Sequence, residues 1–177
     1  METIEGCCEL WLCNSLLLYR EITVGVKIVF IGQEYFRDKA GFVEMLNPGD
    51  IVKQSSRLYL AMDTMYNGNA FFVPLRKSIN LSIGRIGYPV PSSTRPNAGL
   101  DFRKALIVNC GMYSSCFTDI AISSSQMNKL VDDISIIEGL FTNYVKGYVK
   151  AVHKNRAHLD RLFKFSTLHN FHAELGL

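Results

Sequence analysis

The feature that most constrains this chain is Tyr66-Asn67-Gly68-Asn69, set between two apolar runs, Leu58 to Met62 and Ala70 to Leu75. Asn-Gly tolerates positive φ at both central positions of a type I′ turn, the turn that best matches the twist of two antiparallel strands. An antiparallel hairpin is therefore expected here. Upstream, Val24 to Ile31 is rich in β-branched residues and predicts a buried strand. Glu34 to Phe42 suits a helical turn, and Asn47-Pro48-Gly49-Asp50 reads as a turn.

Downstream, Gly84 to Gly99 holds Gly84, Gly87, Pro89, Pro91, Pro96 and Gly99 and is expected to be a long irregular loop. Phe102 to Val108 predicts another strand. Ser123 to Ser125 then offer an N-cap, and two rows recur every four residues: Leu140, Tyr144, Tyr148, Val152 and Ile137, Phe141, Val145, Val149. Together they predict a long helix reaching about Phe163. Ser166 is expected to cap a short last helix ending before Gly176, with His169 and His172 on one face.

At 177 residues, with 48% hydrophobic and 20% charged residues, the chain has material for one core. Residues 26–177 are expected to form a single domain. The charge is unevenly spread: residues 1–25 hold Glu2, Glu5, Glu9 and Glu21 against Arg20, a net −3, while the whole chain carries +3, which leaves +6 for the rest. Cys7, Cys8 and Cys13 also fall in this opening stretch, which reads as an amino-terminal extension of different character. Its acidic start, and Asn14-Ser15 within its apolar run, do not fit a secretory signal. No run has the length of a membrane span, and Cys110 and Cys116 alone make no disulfide framework. The expected location is the cytoplasm.

No phosphate-binding glycine loop, nucleophile elbow, H-E-x-x-H or C-x-x-C occurs. Adjacent Asp132 and Asp133 would point about 100° apart on a helix and read as a solvated helix start. What remains is cationic and hydroxyl chemistry near the strand ends: Lys53, Ser55, Ser56 and Arg57, then Arg76, Lys77 and Ser78. Arg57 and Ser78 stand about equally far from the Asn67-Gly68 turn, so symmetry places both groups at one end of the hairpin. Like charges facing each other destabilise a sheet, and an anion between them would offset the repulsion. The long helix adds Lys146, Lys150 and Lys154 on one face, in a stretch that continues through Arg161.

At these residues the sequence resembles a family. Phe72-Val73-Pro74-Leu75-Arg76-Lys77-Ser78-Ile79, Gly99-Leu100-Asp101-Phe102-Arg103-Lys104-Ala105-Leu106-Ile107-Val108 and Tyr144 to Arg161 resemble the endoribonuclease toxins of type III toxin-antitoxin systems, the ToxN, AbiQ, CptN and TenpN group. The similarity begins near Val26, where Val26-Lys27-Ile28-Val29-Phe30-Ile31 resembles the family's first strand. Residues 1–25 are then consistent with a start codon assigned too far upstream. The resemblance implies an α+β fold, a twisted antiparallel sheet like that of Kid and MazF flanked by helices, with a long basic carboxy-terminal helix. It implies RNA cleavage without metal ion or other cofactor, leaving a 2′,3′-cyclic phosphate and a 5′-hydroxyl, and a role in abortive infection and phage defence. The implied partners are substrate RNA and an antitoxin RNA, a small repeated pseudoknot that occupies the basic groove in a closed protein-RNA assembly.

In such a reaction the RNA supplies its own 2′-hydroxyl as nucleophile, and the protein supplies a base, a proton donor and positive charge. Carried over by position, Arg57 stands where the family has a lysine, Arg76 and Lys77 fall on hydroxyl positions, and Ser78 is displaced by one. Arginine is no practical base at neutral pH, so Arg57 is expected to hold the phosphate and Lys77, among cationic neighbours, to take the proton. Ser78 is expected to bond a phosphate oxygen or orient Lys77. Lys53 is a weaker candidate, and Asp101, Arg103 and Lys104 are expected to place the adjoining loop or bind RNA. His153, His158, His169 and His172 read as structural or RNA-contacting. The alternative reading is a non-catalytic RNA-binding module using the same cations.

Overall fold

A computed structural model of the protein describes residues 26–80, 86–109, 118–119 and 122–177. Residues 1–25, the position Gly84 and all five cysteines lie outside the described residues. The elements in chain order are β1 (Lys27–Phe30), α1 (Gln33–Asp38), α2 (Ile51–Ser55), β2 (Tyr59–Tyr66), β3 (Asn69–Arg76), β4 (Gly87–Pro89), β5 (Gly99–Asp101), a 3-10 turn (Phe102–Lys104), β6 (Leu106–Ile107), β7 (Thr118–Asp119), α3 (Ser124–His153), a second 3-10 turn (Thr167–Asn170) and α4 (His172–Leu175). The strands form an antiparallel sheet in the order β4-β5-β3-β2-β1-β7, with β6 also paired to β3. The architecture is α+β.

The expected hairpin is present. Asn67 and Gly68 take φ of 51° and 73°, as a type I′ turn requires. Symmetry about that turn does not persist, however. Tyr66 opposes Asn69 but Met62 opposes Phe71, so residues 63–65 stand against Ala70 alone, and the register beyond slips by two positions. Tyr59 therefore faces Pro74, Leu75 N donates to Leu58 O at 2.8 Å, and Arg57 comes level with Arg76 rather than Ser78.

The outer edge of β3 is shared. Phe71 and Phe72 pair with β6, whereas Leu75 and Arg76 pair with β5. Because Leu75 N–H points at β2, alternation aims the nitrogen of Pro74 at the junction where β6 gives way to β5. A proline without an N–H is tolerated there inside the sheet.

Helix α3 buries Leu130, Ile137, Phe141, Tyr144, Val145, Tyr148 and Ala151, which fall on one face at the helical period. Phe141 stands edge-on to Phe71 at 5.1 Å and to Phe102 at 5.4 Å, and each such pair adds about 1 kcal/mol beyond its buried area. The helix ends ten residues before the expected Phe163. Asn155 adopts φ of 50°, its N–H bonds Val152 O at 2.7 Å, and Arg156 N–H bonds Ala151 O at 3.0 Å, a Schellman arrangement. The chain then reverses, and Phe163 packs back at 5.4 Å from Tyr144 and 5.8 Å from Tyr148.

Within the expected loop from Gly84 to Gly99, the described residues 86–99 are also more regular than expected. Gly87–Pro89 and Gly99–Asp101 are paired strands, closed by a bridge between Ser92 and Arg95. Phe102 to Val108 is less regular than expected, being a 3-10 turn followed by the two-residue β6. Ser166 caps the second 3-10 turn by accepting Leu168 N–H, and Gly176 ends α4 in the left-handed conformation.

Candidate functional site

The end of the hairpin opposite the turn gathers three elements. Asp50 caps α2 by accepting Lys53 N–H at 2.9 Å, and this bond holds its carboxyl below the usual range. Lys53 is exposed, its Nζ 3.4 Å from Asp50. Arg57 follows α2 and donates from Nη2 to Asn47 Oδ1 at 2.6 Å, while its Nε is buried without an acceptor among the described residues. Asn47, at φ of 53°, sits in the turn before α2.

Across the ladder, Arg76 Nη1 donates to Asp101 Oδ2 at 2.6 Å. Asp101 is 1% exposed and also receives Arg103 Nε at 3.1 Å, Arg103 Nη2 at 3.2 Å and the Arg103 N–H at 3.2 Å. The charge of Arg76 is thus balanced from within, by a carboxylate on β5, whereas Arg57 bonds the neutral Asn47 amide. Arg103 is committed to the same carboxylate.

Lys77 and Ser78 follow β3 directly, both exposed, and neither side chain bonds another described residue. Ile79 N–H then bonds Asn97 O at 2.9 Å. Lys104 is engaged internally: Nζ donates to Glu44 O at 2.6 Å, Glu44 Oε2 at 3.1 Å and Phe165 O at 2.8 Å. Those bonds use all three ammonium donors. Burial pushes this amine below its ordinary value.

The other expected cations belong to different elements. Lys146 and Lys150 are exposed on α3, and Lys154 is exposed at its C-cap. Arg161 is exposed too, but lies on the reversing segment beyond the helix that was expected to include it. Asp132 is exposed, whereas Asp133 is more than a solvated helix start. It accepts Lys129 Nζ at 2.8 Å and Tyr88 OH at 2.9 Å, and these donors, Lys129 foremost, lower its carboxyl.

One constellation has no counterpart in the sequence reading. His169 and His172 sit on separate elements, not on one helix face, and converge on the buried Tyr148. The Tyr148 hydroxyl is 2.8 Å from His169 Nδ1 and 2.8 Å from His172 Nε2. A phenol has one proton, so it donates to one ring and accepts from the other. Burial raises the Tyr148 hydroxyl and lowers the His169 imidazole. The only available signal was Tyr148 in the apolar row of α3 and two histidines three residues apart. His153 ends α3 and His158 follows it, both exposed.

Among the described residues, no group of three or more His, Cys, Asp or Glu side chains is arranged to hold a metal ion. No described helix is long and apolar enough to cross a membrane. No family model matches the sequence, and no curated protein matches it. A solved structure described as a bacterial type III toxin-antitoxin system, with selective toxin inhibition by a non-coding RNA pseudoknot, superimposes with a TM-score of 0.57 at 14% sequence identity. The match covers 86% of this chain and 98% of that one. The chain therefore shares its fold with that toxin-antitoxin structure.

Proposed function

We propose that this chain is the toxin of a type III toxin-antitoxin system, an endoribonuclease that cleaves RNA through its own 2′-hydroxyl and is silenced by a small repeated pseudoknot RNA. The observation that carries this reading is the shared fold over nearly the whole length of both chains. Support at residue level is the grouping of Arg57, Arg76, Lys77 and Ser78 at one end of the hairpin.

In this mechanism Lys77 takes the 2′-proton and Arg57 holds the phosphoryl oxygens. Arg76, one terminal nitrogen committed to Asp101, adds positive charge, and Ser78 bonds a phosphate oxygen or orients Lys77. Neither protein metal nor cofactor is called for, because the nucleophile belongs to the substrate. Lys53, Lys146, Lys150, Lys154 and Arg161 supply phosphate contacts to substrate or antitoxin. A closed protein-RNA assembly in the cytoplasm is part of the same reading.

A second reading, a non-catalytic RNA-binding module, is favoured by one observation: no bond within the described chain orders Lys77 for proton transfer. The two separate in a cleavage assay on long single-stranded RNA, using protein stripped of RNA at high salt. General-base removal costs about 10²–10⁴-fold, so Lys77→Ala should fall in that range and Arg57→Ala should be similarly impaired. Salt-sensitive binding without cleavage would establish the second reading instead.

A further inference from the structure

The segment bearing Lys77 and Ser78 is fastened at both ends, and the second fastening is a glycine notch. Arg76, Gly99 and Pro89 lie in one lateral row across β3, β5 and β4, with Asp101 and Gly87 in a second row on the same face. Arg76 is bonded to Asp101, which fixes the segment's start. Two residues past Lys77, the half-buried Ile79 returns over the same face. Its N–H bonds Asn97 O at 2.9 Å.

Its side chain occupies the space that a side chain at Gly99 would take. A Cβ on Gly99 would lie 3.0 Å from Ile79 Cγ1 and closer still to its Cδ1 and to Tyr88 O, whereas a Cβ on Gly87 would meet Leu100 O first and stand 3.5 Å, an ordinary contact, from that Cδ1. Glycine inside a strand weakens it and marks a close approach. Here Gly99 seats the isoleucine. Only Lys77 and Ser78 separate the two anchors, so they form a short exposed bridge whose ends are both held.

We propose that Ile79 is the positioning residue for the Lys77-Ser78 bridge, with Gly99 as its seat. The inference rests on the reading of Lys77 and Ser78 as reacting groups, and deepens it. Holding a base within a fraction of an ångström of its productive place affects turnover more than binding.

Two experiments test it with Ile79→Ala and the conservative Ile79→Val, each checked for Tm. In limited trypsinolysis, local opening exposes the bond after Lys77. Ile79→Ala should be cut there about tenfold faster than wild type, and Ile79→Val close to the wild-type rate; equal rates for all three would overturn the anchor. In the cleavage assay, Ile79→Ala should lose about tenfold or more in kcat with KM within about twofold, restored by Ile79→Val. Wild-type kcat in Ile79→Ala would overturn the positioning role. Should wild-type protein fail to cleave RNA, the proposed function fails, while the trypsin result still decides the anchor.

Discussion

Asp101 brings one carboxylate, nearly free of solvent, against two guanidiniums from different elements. Removing one member of such a buried set leaves charges without their partner, which costs about 3–5 kcal/mol. Arg76 keeps 32% of its side chain exposed and Arg103 13%, so Asp101→Asn is expected to cost about 3 kcal/mol, the lower end of that range. Urea unfolding measures it, and a loss under about 1 kcal/mol would contradict the role assigned to the carboxylate. Asp101 and Arg103 stood out together in one sequence motif, but the bond between them was not read from it. The link to Arg76, 25 residues away in the chain, was not legible, because it depends on β5 pairing with the end of β3. Arg57 illustrates the same limit: its approach to the strand end was legible from the turn, but its partner was set by an irregularity at residues 63–65 that no turn chemistry announces.

The carboxy-terminal elements dock onto α3 through Tyr148, His169 and His172, and from there reach the hairpin turn. Asn67 Nδ2 bonds Leu175 O at 3.0 Å, and Asn69 Nδ2 bonds Glu174 O at 2.8 Å. Around His169 stand Tyr148 from α3, His172 from α4, the backbone of Phe163 and Lys164, and Glu44. Burial dominates and lowers the imidazole from 6.5, so the folded state favours the neutral ring. Its contribution is complete above the unfolded value and is lost as pH falls from about 6.5 through the lowered folded value. The drop in Tm between pH 8 and pH 5 is therefore expected to be smaller in His169→Gln than in wild type. Parallel curves would contradict the assignment. The apolar rows of α3 were legible because burial and the helical period coincide in them. The helix end was not, because Phe163 keeps the apolar character of the row while sitting on a reversed segment; a Cβ on Gly147 would lie 3.1 Å from its Cζ. A straight helix would carry Phe163 sixteen residues beyond Gly147, about 24 Å away.

Across the whole molecule, the antiparallel sheet with its long helix carries the likeness to a toxin-antitoxin structure at 14% identity, which is possible because burial pattern and strand order constrain a fold more than residue identity does. The exposed cations supply a property of the molecule rather than of one site. Single-stranded RNA releases about 0.7 counterion per phosphate neutralised. Replacing Lys146, Lys150 and Lys154 together with alanine is therefore expected to reduce the slope of log affinity against log salt by roughly 2, measured by titrating labelled RNA at several salt concentrations. An unchanged slope would remove α3 from the interface. The central claim, cleavage by way of the RNA's own 2′-hydroxyl, is tested most directly by mapping the ends of RNA fragments produced by RNA-free wild-type protein in EDTA. The account predicts 2′,3′-cyclic phosphate and 5′-hydroxyl ends, and no cut where the nucleotide 5′ to the scissile bond carries a 2′-O-methyl group; intact RNA, or cleavage that persists at the methylated position, would contradict it.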